Sequence, residues 1–125
     1  MNDRNAIPLS GKRALVVEDT PLIAMDCEES LLELGFAEVV VCATLADGLA
    51  AAAAGDFDFV VLDVDLAGQS SADIASVLSH RSIPFVVATG DADCARSVPA
   101  FTGRPTVTKP YSIGELRDCV TSSLT

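Results

Sequence analysis

The sequence predicts an α/β domain built on a parallel sheet with helices on both faces. Short apolar runs alternate with amphipathic segments along the chain, and the runs are almost continuously apolar, as in strands buried on both faces. The length of 125 residues suits one domain. Half of the residues are hydrophobic, which is enough to build a core.

The first strand and the first helix have clear start and stop signals. Residues 14–17 form a short β-type run. Asp19 or Thr20 can cap the helix that follows, and Pro21 suits its first position. Apolar side chains then recur at helical spacing until Gly35, which ends the helix.

The next two units repeat this pattern. Residues 38–42 are apolar enough for a second strand, and Thr44 can cap the helix after it. That helix continues through the alanine run 50–54 and ends at Gly55, because alanine is the best helix former. Residues 57–62 are predicted as the third strand.

The second half of the chain adds two strands and two helices. Ser71 opens the third helix, residues 85–88 form the fourth strand and residues 106–108 form a short fifth strand. The last helix begins with a capping box, in which Ser112 and Glu115 satisfy each other's backbone N–H groups.

Two segments lack a regular pattern. Residues 91–104 contain Pro99, Gly103 and few periodic apolar side chains, so we expect an irregular fourth helix there. Residues 1–11 look like an N-terminal tail, which leaves residues 12–124 for the folded domain.

Charge and cysteine content exclude several function classes. Acidic residues outnumber basic ones by 18 to 8, so the chain lacks the basic face that binding to nucleic acid or an anionic membrane requires. No apolar run approaches the roughly 18 residues of a membrane span, and the start of the chain lacks the apolar stretch of a signal peptide. The four cysteines are widely spaced, which argues against a zinc site. We expect a soluble, cytoplasmic protein.

Polar residues of distinct chemistry follow four of the five predicted strands. They are Glu18, Asp19, Asp63, Thr89 and Lys109. If the strands are parallel, these side chains meet at one edge of the sheet. Three carboxylates favour a hard divalent cation such as Mg²⁺, and a hydroxyl with an ammonium group can bind a tetrahedral anion such as phosphoryl. A carboxylate at the centre can act as the nucleophile.

These motifs resemble those of the receiver domain of bacterial two-component response regulators. The motifs are Val17-Glu18-Asp19, Val60-Val61-Leu62-Asp63, Ala88-Thr89-Gly90 and Lys109-Pro110. They occur in order at the strand ends, and the resemblance covers about residues 12–124. It implies a doubly wound, flavodoxin-like sheet of five parallel strands in the order 2-1-3-4-5.

The resemblance also implies the roles of the site residues. Asp63 would be the phosphoacceptor, and Mg²⁺ would be held by the carboxylates of Asp19 and Asp63 and the main-chain carbonyl of Asp65. Glu18 would reach the metal through water or position Asp19. The remaining two residues would bind the phosphoryl group: Thr89 through a hydrogen bond and Lys109 as an ion pair, with a cis bond before Pro110.

Two features set this sequence apart within the family that it resembles. Residues 83–90 are similar to an atypical subgroup with a Phe-Ala-Thr-Gly-type motif, found in alphaproteobacterial stress and light signalling, although Val87 stands in place of its phenylalanine. Thr106 stands where receivers usually carry an aromatic residue that rotates inward after phosphorylation. We therefore hypothesise that the loop 90–104 carries the response.

The sequence favours a stand-alone receiver over three alternatives. It would accept a phosphoryl group from a histidine kinase or a phosphotransfer protein and act through contact with a downstream protein; a receiver excised from a longer chain is the other possibility. A pseudo-receiver would keep the fold without the chemistry. A haloacid-dehalogenase-type phosphatase would use Asp63-Val64-Asp65 as its D-x-D motif, but that motif belongs on the first strand. A flavodoxin-type FMN binder would need a phosphate loop after the first strand.

Overall fold

A five-stranded parallel sheet forms the centre of the computed structural model, which describes residues 9–124. Its strands are β1 (Arg13–Val17), β2 (Glu38–Cys42), β3 (Phe59–Asp63), β6 (Phe85–Thr89) and β7 (Thr106–Thr108). Their spatial order is β2-β1-β3-β6-β7. The short strands β4 (Asp65–Leu66) and β5 (Gln69–Ser70) pair only with each other, so the main sheet has the predicted order 2-1-3-4-5.

Helices cover both faces of the sheet. They are α1 (Pro21–Leu34), α2 (Leu45–Ala54), α3 (Ala72–His80), α4 (Ala92–Arg96) and α5 (Ile113–Leu124). Successive β1 residues belong to opposite faces: Leu15 packs with α2 and α3, and Val16 packs with α1 and α5. Among the described residues, no helix combines the length and the hydrophobicity needed to cross a membrane.

Two predicted helix caps are confirmed, and at α1 the position of the cap is confirmed but its hydrogen bond is absent. The Thr44 hydroxyl accepts a hydrogen bond from the Asp47 N–H, at 3.1 Å. The capping box of α5 is complete, with both of its hydrogen bonds at 3.1 Å. At α1, Thr20 occupies the N-cap position without a capping bond from its side chain, and the Asp19 carboxylate binds a distant backbone N–H instead.

The irregular fourth helix is confirmed. Helix α4 has only five residues, and a turn of 3-10 helix at Pro99–Phe101 follows it. Two of the few apolar side chains in this segment, Ala95 and Phe101, are buried against the core. The segment is therefore attached to the core at separate points, without the continuous apolar stripe that stabilises a long helix.

Sequence reasoning missed the hairpin of β4 and β5. The two turn residues, Ala67 and Gly68, have φ angles of 53° and 86°. Both are in the left-handed region, as a type I′ turn requires. An Ala-Gly pair is a weaker turn signal than Asn-Gly, because alanine is strained at positive φ.

The boundary regions differ in detail from the prediction. Strand β3 begins at Phe59 instead of residue 57, because Asp58 closes the preceding loop with two backbone-directed bonds to Arg13. Leu9, in the predicted tail of residues 1–11, is buried in the core, and its carbonyl accepts the Lys12 N–H at 2.9 Å. The first eight residues of that tail lie outside the described part of the chain.

Candidate functional site

The carboxyl ends of four strands form a cavity of about 500 Å³. Its walls include Asp19 after β1, Asp63 at the end of β3, Thr89 at the end of β6 and Lys109 after β7. The parallel register explains this arrangement, since it places all of these strand ends at the same edge. The convergence expected from the sequence is therefore present.

An ion cluster occupies the floor of the site. The ammonium Nζ of Lys109 lies 2.7 Å from Glu18 Oε1 and 3.1 Å from Asp63 Oδ2. Both acids are buried, with 4% and 5% of their surface exposed. The second Glu18 oxygen accepts the Thr20 N–H at 3.1 Å, so both oxygens of this buried carboxylate have partners.

Three carboxylates are close enough to share a cation. One oxygen from each of Glu18, Asp19 and Asp63 lies within 4.8 Å of the others. Lys109 compensates only part of their negative charge, and carboxylate oxygens are the ligands that Mg²⁺ prefers. The donor set therefore fits Mg²⁺.

The electrostatics of the cluster favour a cation at Asp63. Burial and the neighbouring Glu18 together raise the pKa of Asp63 to about 7, although Lys109 opposes the shift. Burial alone would lower the pKa of Lys109, but its hydrogen bonds to Glu18 and Asp63 outweigh that effect and raise it. A second cation would relieve the repulsion between the two acids and hold Asp63 in its ionised form.

Asp65 contributes to the site through its backbone. Its N–H donates to Asp63 Oδ1 at 3.3 Å, and its side chain is exposed. The side chain is not part of the carboxylate cluster. The role of the Asp65 main-chain carbonyl as a metal ligand stays a prediction.

Thr89 is buried, and its hydroxyl is hydrogen-bonded within its own loop. Oγ1 accepts the Asp91 N–H at 3.0 Å and donates to the Asp91 carbonyl at 3.1 Å. A bound anion would compete with that carbonyl for the Thr89 proton. Thr89 therefore lines the cavity, and its hydroxyl also holds the start of the loop that follows β6.

The loop after β7 orients Lys109 toward the acids. The peptide bond between Lys109 and Pro110 is cis, as the resemblance implied. The Lys109 N–H donates to the Thr89 carbonyl at 2.8 Å, which fixes the backbone of the lysine to the neighbouring strand.

Two contacts at this site had no sequence signal. The Ala67 N–H, at the turn of the β4–β5 hairpin, donates to Asp19 Oδ2 at 2.9 Å. Tyr111 packs, half-buried, against the core cluster that contains Cys27 of α1. Each contact joins residues that are far apart in the chain, so only the tertiary structure brings them together.

The chain belongs to the response regulator receiver domain family, whose sequence profile matches residues 14–121. This match covers most of the chain and includes all of the predicted site residues. It gives no support to the phosphatase or flavodoxin alternatives.

Similar proteins agree with this assignment. The transcriptional regulatory protein TcrA of Mycobacterium tuberculosis is 33% identical over 115 residues, which cover 86% of this chain and 44% of TcrA. The response regulator TrrA of Thermotoga maritima, solved in complex with Mg²⁺-BeF, is 27% identical with a TM-score of 0.79, covering 90% of this chain and 99% of TrrA. The response regulator PhyR of Brucella abortus is 28% identical with a TM-score of 0.77, covering 93% of this chain and 49% of PhyR. The chain thus spans less than half of TcrA and of PhyR.

Proposed function

We propose that this receiver accepts a phosphoryl group on Asp63 in the presence of Mg²⁺. The observation that carries the proposal is the position of Asp63 in the cavity, with the acids Glu18 and Asp19 close by and Lys109 in contact with it. Asp63 belongs to the cation site and also contacts the ammonium group of Lys109. This arrangement suits in-line transfer of a phosphoryl group to its carboxylate.

In the proposed reaction, an Asp63 oxygen attacks the phosphorus of a phosphohistidine. The P–O bond forms as the P–N bond breaks, and the imidazole leaves with the electron pair and takes up a proton. Lys109 exchanges its bond to Asp63 for one to a phosphoryl oxygen, which keeps a positive charge beside the group. The Thr89 hydroxyl donates to a second oxygen in place of the Asp91 carbonyl. Glu18, Asp19 and Asp63 would hold Mg²⁺, which would supply positive charge beside the carboxylates and the phosphoryl group.

The surface beside the cavity supports a protein as phosphoryl donor. On α1, two large apolar side chains are exposed: Leu22 to 78% and Met25 to 55%. Leu22, Asp26 and Lys109 are among the residues that line a groove of about 490 Å³. We propose that a histidine kinase or phosphotransfer protein docks here with an apolar surface and a basic rim, in the cytoplasm. The output would be a contact with a downstream protein.

The test is the intact mass of the protein after incubation with acetyl phosphate, with and without Mg²⁺. We expect the gain of one phosphoryl group that requires Mg²⁺ and is removed by hydroxylamine. Asp63→Asn should abolish the adduct, and Asp65→Asn, which removes an exposed carboxylate from the same cavity, should retain it. Beryllofluoride binding is measured in parallel. Absence of both the adduct and beryllofluoride binding would overturn the proposal.

One observation favours the pseudo-receiver as a second candidate. Lys109 already forms ion pairs with Glu18 and Asp63, so the cluster is partly neutralised by the protein alone. A pseudo-receiver would present an unmodified surface to its partner. Folded protein that binds neither Mg²⁺ nor beryllofluoride would support this candidate.

A further inference from the structure

We infer that the β4–β5 hairpin positions Asp19 for Mg²⁺ through the backbone N–H of Ala67. The inference rests on the proposed function, because it concerns the cation that would assist phosphoryl transfer to Asp63. Ala67 is a positioning residue in this scheme, since it acts on the metal only through the Asp19 carboxylate. Its side chain is a methyl group, so the contribution comes from the main chain.

The contact joins the tip of the hairpin to the acid that follows β1. The Ala67 N–H donates to Asp19 Oδ2 at 2.9 Å, across 48 positions of the chain. Asp19 is half-buried and belongs to the cluster of three acids, but within the described part of the chain the ion pairs of Lys109 go to the other two. The hairpin therefore holds the acid that the lysine does not. A carboxylate has enough lone pairs to accept this N–H and bind a metal ion at the same time.

The hairpin is a firm support because it is fixed at its base and along one side. At its base, the Val64 N–H donates to the Ala88 carbonyl at 3.0 Å, and the Val64 carbonyl accepts the N–H and the hydroxyl of Ser71 at 3.0 Å and 3.2 Å. Leu66, directly before Ala67, is 1% exposed and packs in the core cluster under this face of the sheet. The position of the Ala67 N–H is therefore tied to the core.

The conformation of the turn indicates which residues can replace Ala67. Its φ angle is 53°, in the left-handed region, where alanine is strained and glycine is not. Glycine at this position would keep both the conformation and the N–H. Proline would lose both, because its ring fixes φ near −65° and it has no N–H. Groups that orient a metal ligand in this way typically change the metal affinity by about tenfold or more.

The first measurement detects the hydrogen bond in the protein without metal. Amide ¹H–¹⁵N spectra recorded in EDTA report on the Ala67 N–H directly. We expect Asp19→Ala to move the Ala67 proton upfield and to speed its exchange with solvent about fivefold, because the carboxylate acceptor is lost. Asp65→Asn is the matched control, since it neutralises an exposed acid of the same hairpin and should leave this signal nearly unchanged. An Ala67 signal that Asp19→Ala does not alter would overturn the inference.

The second measurement is the Mg²⁺ affinity, by calorimetry, of a full chain that lacks only this N–H. Semisynthesis with lactic acid at position 67 replaces the N–H by an ester oxygen and keeps the methyl group. We expect the affinity to fall about tenfold. Glycolic acid at position 68 removes the next N–H of the same turn and should leave the affinity unchanged. Ala67→Gly should also keep the wild-type affinity, and Ala67→Pro should lose it.

A double-mutant cycle separates positioning from a general effect on the fold. In an Asp19→Ala background the ester at position 67 should cause no further loss of Mg²⁺ affinity, because Ala67 acts through Asp19. An equal loss in both backgrounds contradicts the inference, as does an ester variant with wild-type affinity. Mg²⁺ binding as expected, without phosphorylation by acetyl phosphate, counts against the proposed function alone. A wild-type chain that binds no Mg²⁺ overturns both.

Discussion

The ammonium group of Lys109 lies within hydrogen-bonding distance of both Glu18 and Asp63, at 2.7 Å and 3.1 Å. Without the lysine, these two buried acids would be adjacent negative charges. The lysine therefore stabilises the site without metal, and the same group is available to a phosphoryl oxygen on Asp63. The ammonium group cannot pair fully with both acids and with a phosphoryl oxygen at the same time. The contacts of the lysine therefore depend on whether Asp63 is phosphorylated.

Removing this lysine should destabilise the metal-free protein. We expect Lys109→Met to lower the free energy of unfolding in EDTA by about 2 kcal/mol, because the buried acids lose their charged hydrogen-bond donor. Added Mg²⁺ should raise the melting temperature of this variant more than that of wild type. Lys12→Met is the matched control. Equal Mg²⁺ effects in wild type and Lys109→Met would contradict this account of the cluster.

Mg²⁺ affinity should depend on pH near neutrality. The raised pKa of Asp63, about 7, means that a proton competes with the metal for this carboxylate below that pH. We expect the affinity to rise about tenfold between about pH 6 and about pH 8, measured by calorimetry, as Asp63 ionises. The pH dependence should be lost in Asp63→Asn. An affinity that is constant over this range would show that Asp63 is already ionised at pH 6.

The loop 90–104 should respond when a phosphoryl mimic binds. Recruiting the Thr89 hydroxyl breaks its bond to the Asp91 carbonyl, and the helix α4 that follows has only five residues. We expect beryllofluoride with Mg²⁺ to change hydrogen exchange and NMR shifts in this loop. Thr89→Ser should keep the response and Thr89→Val should reduce it. Shifts that spare the loop would disprove the hypothesis.

Packing of α2 on the sheet should limit substitution at Gly48. A Cβ there would lie 2.8 Å from Ile74 Cδ1 and 2.9 Å from Val17 Cγ1, closer than atoms in contact allow. We expect Gly48→Ala to destabilise the fold by about 1–3 kcal/mol, measured by urea unfolding. Gly114→Ala in α5 meets no close atom and should be neutral or slightly stabilising. A stabilising Gly48→Ala would mean that the helix can shift.

Most elements were predictable because their signals are local. The capping motifs at Thr44 and Ser112 and the apolar strands depend on residues a few positions apart. The hairpin after β3 was missed because its turn contains an alanine at positive φ. At α1, Thr20 is the N-cap residue but forms no capping bond, and Asp19 binds the Ala67 N–H, a partner that no local pattern indicates.

By itself, the sequence determined the element order, the parallel sheet and the set of polar residues at the strand ends. The hydrophobic period, the helix caps and the polar residues that follow the strands all depend on residues close together in the chain. A parallel sheet then brings its strand ends together at one edge. The tertiary structure decided which groups bond: Lys109 with both acids, and Asp19 with the Ala67 N–H of the hairpin. These choices depend on distances and burial between segments remote in the chain, which a linear pattern does not contain.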